Sequence, residues 1–229
     1  MKNVIITGAS GNLGAACVKK FAAEGYQVTA IIPPGTVLGY TVPGAIDVAE
    51  VNLLDEPATT TALVKIITEK RHIDAALLLV GGFAMGKLTD TDGDALKRMI
   101  NLNFESTFFT CRPLFNHMLS QTGGGRLILV GARPALQPHD GKNMVAYALS
   151  KSLIFKLAEL LNAEGASKNV VTSVIVPSTL DTPANRSAMP AANFTDWVKP
   201  EEIAGTMIEL CSEKTKSLRD PVLKFYGNA

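Results

Sequence analysis

Asn3-Val4-Ile5-Ile6-Thr7-Gly8-Ala9-Ser10-Gly11-Asn12-Leu13-Gly14 is the stretch whose reading decides the fold. Val4, Ile5 and Ile6 form an apolar run short enough for a buried strand, and Leu13, Ala15, Ala16, Val18 and Phe21 follow at helical spacing. Three glycines stand between the two patterns. Glycine permits a turn with φ > 0 and lets the backbone come close to a bound group. A helix that starts there points its free N–H groups and positive dipole end outward. Strand, glycine turn and helix in that order make a cradle for a phosphate, and at the head of a βα unit the spacing points to a dinucleotide. Thr7, Gly8, Ser10, Gly11, Asn12, Leu13 and Gly14 are therefore the first candidate binding residues. The competing reading is a plain tight turn between strand and helix.

Working outward, strand-like apolar runs recur at 2–7, 27–32, 46–51, 74–80, 125–130, 170–176 and 221–226. Helical patterns alternate with them at 12–24, 55–71, 92–120 (read as two helices), 143–165 and 200–211. Leu77 to Val80 and Leu127 to Val130 are apolar without alternation, which suits parallel strands covered on both faces. The order implies a single α/β domain over 1–229, a doubly wound, mostly parallel, seven-stranded sheet of Rossmann type. No repeat, low-complexity segment or linker divides the chain.

Composition narrows the function classes. A hydrophobic content of 47% in 229 residues supplies a real core. The formal net charge of +1, without a block of like charges, argues against a nucleic-acid surface or a polybasic membrane patch. Cys17, Cys111 and Cys211 are odd in number and far apart, which suits a reducing cytoplasm better than a disulfide framework. The first strand starts too early to leave room for a signal peptide, and no apolar run approaches the roughly 20 residues of a membrane span. His72, His117 and His139 show no ligand spacing, so no metal is expected. The expectation is a soluble cytoplasmic protein acting on a small molecule.

In an open parallel sheet, ligands bind beyond the carboxyl ends of the strands. At the end of the second run, an acidic residue holds the adenosine ribose in NAD-selective proteins. Here that place falls on Ile32, and no Lys or Arg nearby offers to hold a 2′-phosphate, so NAD and NADP both stay open. After the third run, Asn52 and Leu53 are placed to meet the adenine, with Asp55 balanced between that role and capping the next helix. After the fourth, Val80, Gly81 and Gly82 expose backbone where a nicotinamide ribose would lie close.

Tyr147-Ala148-Leu149-Ser150-Lys151 sets a phenol and an ammonium four residues apart, on one face if the stretch is helical. A lysine held there favours the phenolate and is expected to pull the tyrosine pKa from about 10 toward neutrality. Tyr147 would then give a proton to a carbonyl or imine as hydride arrives.

With these residues the chain resembles the short-chain dehydrogenase/reductase family over nearly its whole length. Thr7 and Gly8 match the opening of its glycine loop, and Tyr147 and Lys151 match its Tyr-x-x-x-Lys pair. The resemblance implies that Asn103, with Asn101 as a near alternative, helps order a proton-relay water. Pro177 and Thr182 partly match the element after strand six, with Ser178 in place of a glycine, which would turn Thr182 toward the nicotinamide carboxamide. The family's usual serine after strand five is missing, because Val130-Gly131-Ala132-Arg133-Pro134 puts Ala132 there.

Within the family, the sequence is similar to the dihydropteridine reductase branch, which also carries alanine at that point. Gly8-x-x-Gly11-x-Leu13-Gly14 and Val80-Gly81-Gly82-Phe83-Ala84 follow that branch, as does a loop over 178–199 containing Thr179 to Arg186, Met189-Pro190, Ala192, Phe194 and Trp197. For Asp181 and Pro183, a capped helix start is the plain alternative. The resemblance implies reduction of a quinonoid dihydropterin by a reduced nicotinamide, with Phe83, Ala132, Arg133, Asn185 and Met189 toward the substrate. Two changes set the chain apart from the branch: Ile32 replaces its acidic residue and Phe83 replaces its tryptophan. A reductase of another small carbonyl, quinone or imine is the runner-up, and a non-catalytic nucleotide sensor is the reading from a different class. By family analogy, helices 104–120 and 143–165 would pair between subunits in a homodimer or homotetramer.

Overall fold

Val4 and Ile6 pack against one side of a sheet and Ile5 against the other, and none of the three side chains reaches solvent. Two-sided burial of this kind is why the strand runs read as continuous apolar segments. The computed structural model describes residues 1–42 and 44–228. In chain order the elements are β1 (Asn3–Thr7), α1 (Asn12–Ala23), β2 (Gln27–Ile32), β3 (Asp47–Glu50), α2 (Glu56–Lys70), β4 (Ala75–Leu78), α3 (Gly93–Ile100) and α4 (Ser106–Ser120). They continue with β5 (Gly125–Val130), α5 (Arg133–Leu136), α6 (Pro138–Gly141), α7 (Val145–Gly165), β6 (Val170–Pro177), α8 (Pro183–Ala188), α9 (Pro200–Leu210) and β7 (Val222–Phe225).

The seven strands form one sheet in the order β3-β2-β1-β4-β5-β6-β7, with every neighbouring pair parallel. All carboxyl ends therefore share one edge, and the order reverses between β1 and β4, where ligands of such sheets bind. One face is covered by Leu63 and Ile66 of α2, Leu114 and Met118 of α4, and Ile154 and Leu157 of α7. The other is covered by Val18 and Phe21 of α1 and by Ile203 and Met207 of α9. The result is a single doubly wound domain of Rossmann type.

Three local features differ from the sequence expectation. The 92–120 segment is not simply two helices, because a π-helical turn over Asn101–Glu105 joins α3 to α4. The short helices α5, α6 and α8 fall in stretches read as loop. The cap of α8 is Thr182, whose side chain accepts from the Asn185 N–H at 3.2 Å, with Pro183 just inside, rather than Asp181. Asp55 caps α2 by accepting from the Ala58 N–H at 2.9 Å.

Candidate active site

The β1–α1 connection is built on two glycines. Gly8 has φ +64°, a conformation costly for any residue with a Cβ. A Cβ on Gly14 would lie 2.1 Å from the Gly8 carbonyl oxygen, so only glycine lets α1 start that close to the strand. Helix α1 opens at Gly11 with no side-chain cap and no acidic residue in its first turn. Its leading N–H groups thus face the strand edge without a protein anion, an arrangement that fits a phosphate. Ser10, Gly11 and Asn12 are exposed there and Leu13 is half-buried. Thr7 is buried, and its hydroxyl accepts from the Leu79 N–H at 2.9 Å and donates to the Leu77 carbonyl at 3.4 Å. That side chain ties β1 to β4.

At the end of β2, Ile32 is only 3% exposed and packs in the α1-side core. Asn52 is exposed, with its side-chain oxygen accepting from the Leu54 N–H at 3.2 Å, and Leu53 is buried. After β4, Gly81 is exposed and Val80 and Gly82 are half-buried. A Cβ on Gly81 would meet Asn103 Oδ1 at 2.7 Å, and one on Gly82 would meet Leu102 at 2.3 Å. These two glycines make room for the π-turn as well as leaving their backbone accessible.

Asn103 is fully buried in that turn. Its Oδ1 accepts from the Gly82 N–H at 2.8 Å, and its Nδ2 donates to Ser150 Oγ at 2.9 Å. Ser150 in turn donates to the Tyr147 carbonyl at 2.8 Å. Asn101 is engaged elsewhere, donating to Glu105 at 2.7 Å. The π-turn is what aims Asn103 at α7, a use typical of such bulges. A second clamp joins Gly86 to the approach of α7, with Gly86 N–H on the Asn143 carbonyl and Val145 N–H on the Gly86 carbonyl. Neither Ser150 nor the π-turn stood out in the sequence. A serine one residue before the lysine, with an asparagine ahead of a helical run, was the only available hint.

Tyr147 and Lys151 share one face of α7. The half-buried Tyr147 stacks edge-on against exposed Phe83, with ring centroids 5.1 Å apart. Its hydroxyl has no protein partner among the described residues. The buried Lys151 ammonium donates to the Val130 carbonyl at 2.8 Å. Burial pushes the Lys151 ammonium down to about 8 and the Tyr147 phenol up to about 12. The expected pull of Lys151 on the phenol toward neutrality is thus corrected: in this structure burial governs the tyrosine, and it stays protonated.

Ala132 closes the end of β5 with a methyl group, 2% exposed. Arg133 pairs with Asp140 at 2.9 Å and lies over the Tyr226 ring, 5.6 Å from its centroid. Beyond β6, which ends at the buried Pro177, Asn185 Nδ2 donates to the Leu180 carbonyl at 2.8 Å and Met189 is 41% exposed. Thr182 is buried and spent on its cap. Arg186 makes a two-pronged bond to Asp181 at 2.6 and 2.8 Å and covers the Phe194 ring, so it braces this loop internally. The candidate residues after β1, β4, β5 and β6 and on α7 thus line one strand edge, with Ile32 withdrawn into the core. Among the described residues, no group of three or more His, Cys, Asp or Glu is arranged to hold a metal ion.

A parallel sheet with an uncapped helix over a glycine cradle and a Tyr–Lys pair across its switch point defines a nucleotide-dependent oxidoreductase. The model of the short chain dehydrogenase family matches residues 2–193, and the chain belongs to that family. Dihydropteridine reductase of Dictyostelium discoideum is 29% identical over 214 residues, which span 91% of this chain and 87% of that one. A 3-oxoacyl-acyl-carrier-protein reductase of Thermotoga maritima is 23% identical over 243 residues, spanning 99% and 96%. The solved structure of ElxO with NADP bound superposes with a TM-score of 0.89 at 19% identity, covering 99% of this chain and 97% of that one. The protein is an NAD(P)-dependent oxidoreductase.

Proposed function

We propose that this enzyme reduces a flat conjugated imine of the quinonoid dihydropterin type, with Tyr147 as the proton donor. The carrying observation is that a buried alanine, Ala132, follows β5 in a site that retains Tyr147. Where a serine hydroxyl would stabilise a developing alkoxide, this site offers a methyl group. A conjugated imine places its new electron pair on ring nitrogen and needs only a proton, so the missing hydroxyl costs it little. Phe83, exposed and packed edge-on against Tyr147, offers an aromatic face to a flat ring. The resemblance of the 178–199 loop to the dihydropteridine reductase branch supports the same reading.

When bound, a reduced nicotinamide supplies the hydride. The chain's part is to hold and deliver a proton. Burial keeps Tyr147 protonated at neutral pH, and its hydroxyl is not spent on any protein group among the described residues. Lys151, anchored on Val130, sets a cation beside Gly81 with donors left for ribose hydroxyls. Asn103 and Ser150 hold the helix turn that presents the phenol. Asn185, in the first turn of α8, and Met189, just past its end, would border the substrate.

Turnover of quinonoid pterins, quinones and diketones, each with NADH and NADPH, is read as loss of the reduced nicotinamide's near-ultraviolet band. Preference for the pterin over the diketones supports the reading, whereas diketone turnover alone overturns it.

We also propose a cytoplasmic homodimer or homotetramer. Three buried, unpaired cysteines support a reducing compartment. Between α4 and α7 lies a groove of about 250 Å³ lined by Phe108, Phe115, Leu157 and Leu160. Leu160 is 61% exposed there, and Leu149 and Leu153 extend the apolar face along α7. Light scattering of wild type against Leu160→Glu tests this: a mass at the monomer value for both rejects it.

A further inference from the structure

From Pro33 to Ile46 the chain has no charged side chain. Tyr40 nevertheless reaches the cradle, its Oη donating to the Ala9 carbonyl at 2.9 Å. Leu38, Tyr40, Val42 and Ile46 pack on the core that contains Ile32. The end of β2 therefore offers no carboxylate to a ribose. Its neighbour does. Ile32 is the register partner of Glu50, the last residue of β3. Ala49 packs toward the α2 side, so strand alternation turns Glu50 to the α1 side with Ile32. Glu50 is exposed, and its Oε2 accepts from the Gly35 N–H at 2.8 Å. Gly35 sits at φ +72° in a turn closed by Thr36 N–H on the Pro33 carbonyl at 3.1 Å. A carboxylate is thus pinned at the carboxyl edge of the sheet, beside the end of β2, which carries Ile32 and no acidic residue.

We propose that Glu50 sets the nucleotide preference, accepting from the adenosine 2′-hydroxyl of NADH and repelling the 2′-phosphate of NADPH. The assignment rests on a dinucleotide seated in the β1–α1 cradle with its adenosine toward β2 and β3. Other charges nearby do not reverse it. Asp55 is spent on its cap, Glu56 pairs with Arg112 at 2.9 Å, and Lys70 is held by Asp47 at the far end of β3. Lys19 is the opposing candidate, with its ammonium 5.3 Å from the Tyr40 ring centroid.

The test is fluorescence titration of NADH and NADPH into the full-length protein at low and high salt. Glu50→Gln keeps an acceptor for Gly35 and removes only the charge, while Glu50→Lys inverts it, and thermal melts verify that both fold. Wild type is expected to favour NADH, with a preference that shrinks as salt rises. Glu50→Gln should tighten NADPH about tenfold with little change for NADH, and Glu50→Lys should favour NADPH. A ratio unmoved by both variants overturns the role of Glu50 while leaving the seat intact. Preference of wild type for NADPH, lost in Lys19→Ala, overturns it in favour of Lys19. Absence of binding by either nucleotide overturns the seat itself.

Discussion

The side-chain amide of Asn103 donates to the Ser150 hydroxyl at 2.9 Å and so joins a π-turn between two helices to the helix that carries Tyr147. Both partners are buried, so neither finds water in exchange if the bond is lost. Asn103→Ala removes this bond and the one to the Gly82 N–H, at an expected cost of about 2–4 kcal/mol. Ser150→Ala removes one acceptor and should cost about 1–2 kcal/mol. Because the two share a bond, the double variant should lose less than the sum of the singles. Urea unfolding of the four proteins checks this, and strict additivity would show the contact to be energetically idle.

Tyr147→Phe removes a hydroxyl that bonds to no protein group among the described residues. Stability and nucleotide affinity should therefore stay near wild type, while turnover falls by roughly 10²–10⁴. Steady-state rates with a turned-over acceptor, alongside a nucleotide titration, separate the two effects. Full activity in the variant would take the proton-donor role away from Tyr147.

Lys151 leads to a stability prediction with a definite sign. Its folded pKa of about 8 lies below the unfolded value near 10.5, so between those limits the unfolded chain binds more protons. Stability contributed at this site therefore rises with pH across that window, by about 3 kcal/mol in all. Tyr147 and the buried thiols of Cys17, Cys111 and Cys211 run the other way, since burial pushes each of them up. The quantity to measure is the difference between wild type and Lys151→Met in urea midpoint from neutral to alkaline pH. It should move in favour of wild type as pH rises through 8, and a flat difference would mean that the ammonium is not held in a low-dielectric setting.

The central strands were legible because burial on both faces favours apolar residues, as Leu127 to Leu129 and Val174 to Val176 show. The long helices were legible through their apolar spacing. Helices α5, α6 and α8, with four to six residues each, are too short to show a period. The π-turn was hidden because Asn101 to Glu105 look like any helical residues, and only three-dimensional packing against Gly81 and Gly82 reveals the bulge. In the site, Tyr147 and Lys151 were found because one helix places them. Ser150 and Glu50 were not, because their partners lie 47 and 15 residues away.

Ile32 shows the same limit most sharply. Its position at the end of β2 could be read from the sequence, and from position alone Ile32→Asp should favour NADH by offering the ribose an acceptor. Leu38, Tyr40 and Val42, which pack on the core containing Ile32, follow no pattern, and the Ile32 side chain is buried. An aspartate there would put a carboxylate into the α1-side core, so it should destabilise the fold by about 3–5 kcal/mol at neutral pH. The buried acid would have its pKa raised above the unfolded value near 4, so the unfolded state would hold fewer protons. The penalty should therefore shrink as pH falls toward 4 and grow to its full size above the raised folded pKa. Urea midpoints of wild type and Ile32→Asp at pH 5 and 8, with NADH titrations on the same samples, decide the matter. A variant of wild-type stability with tighter NADH binding would show that Ile32 faces the nucleotide after all.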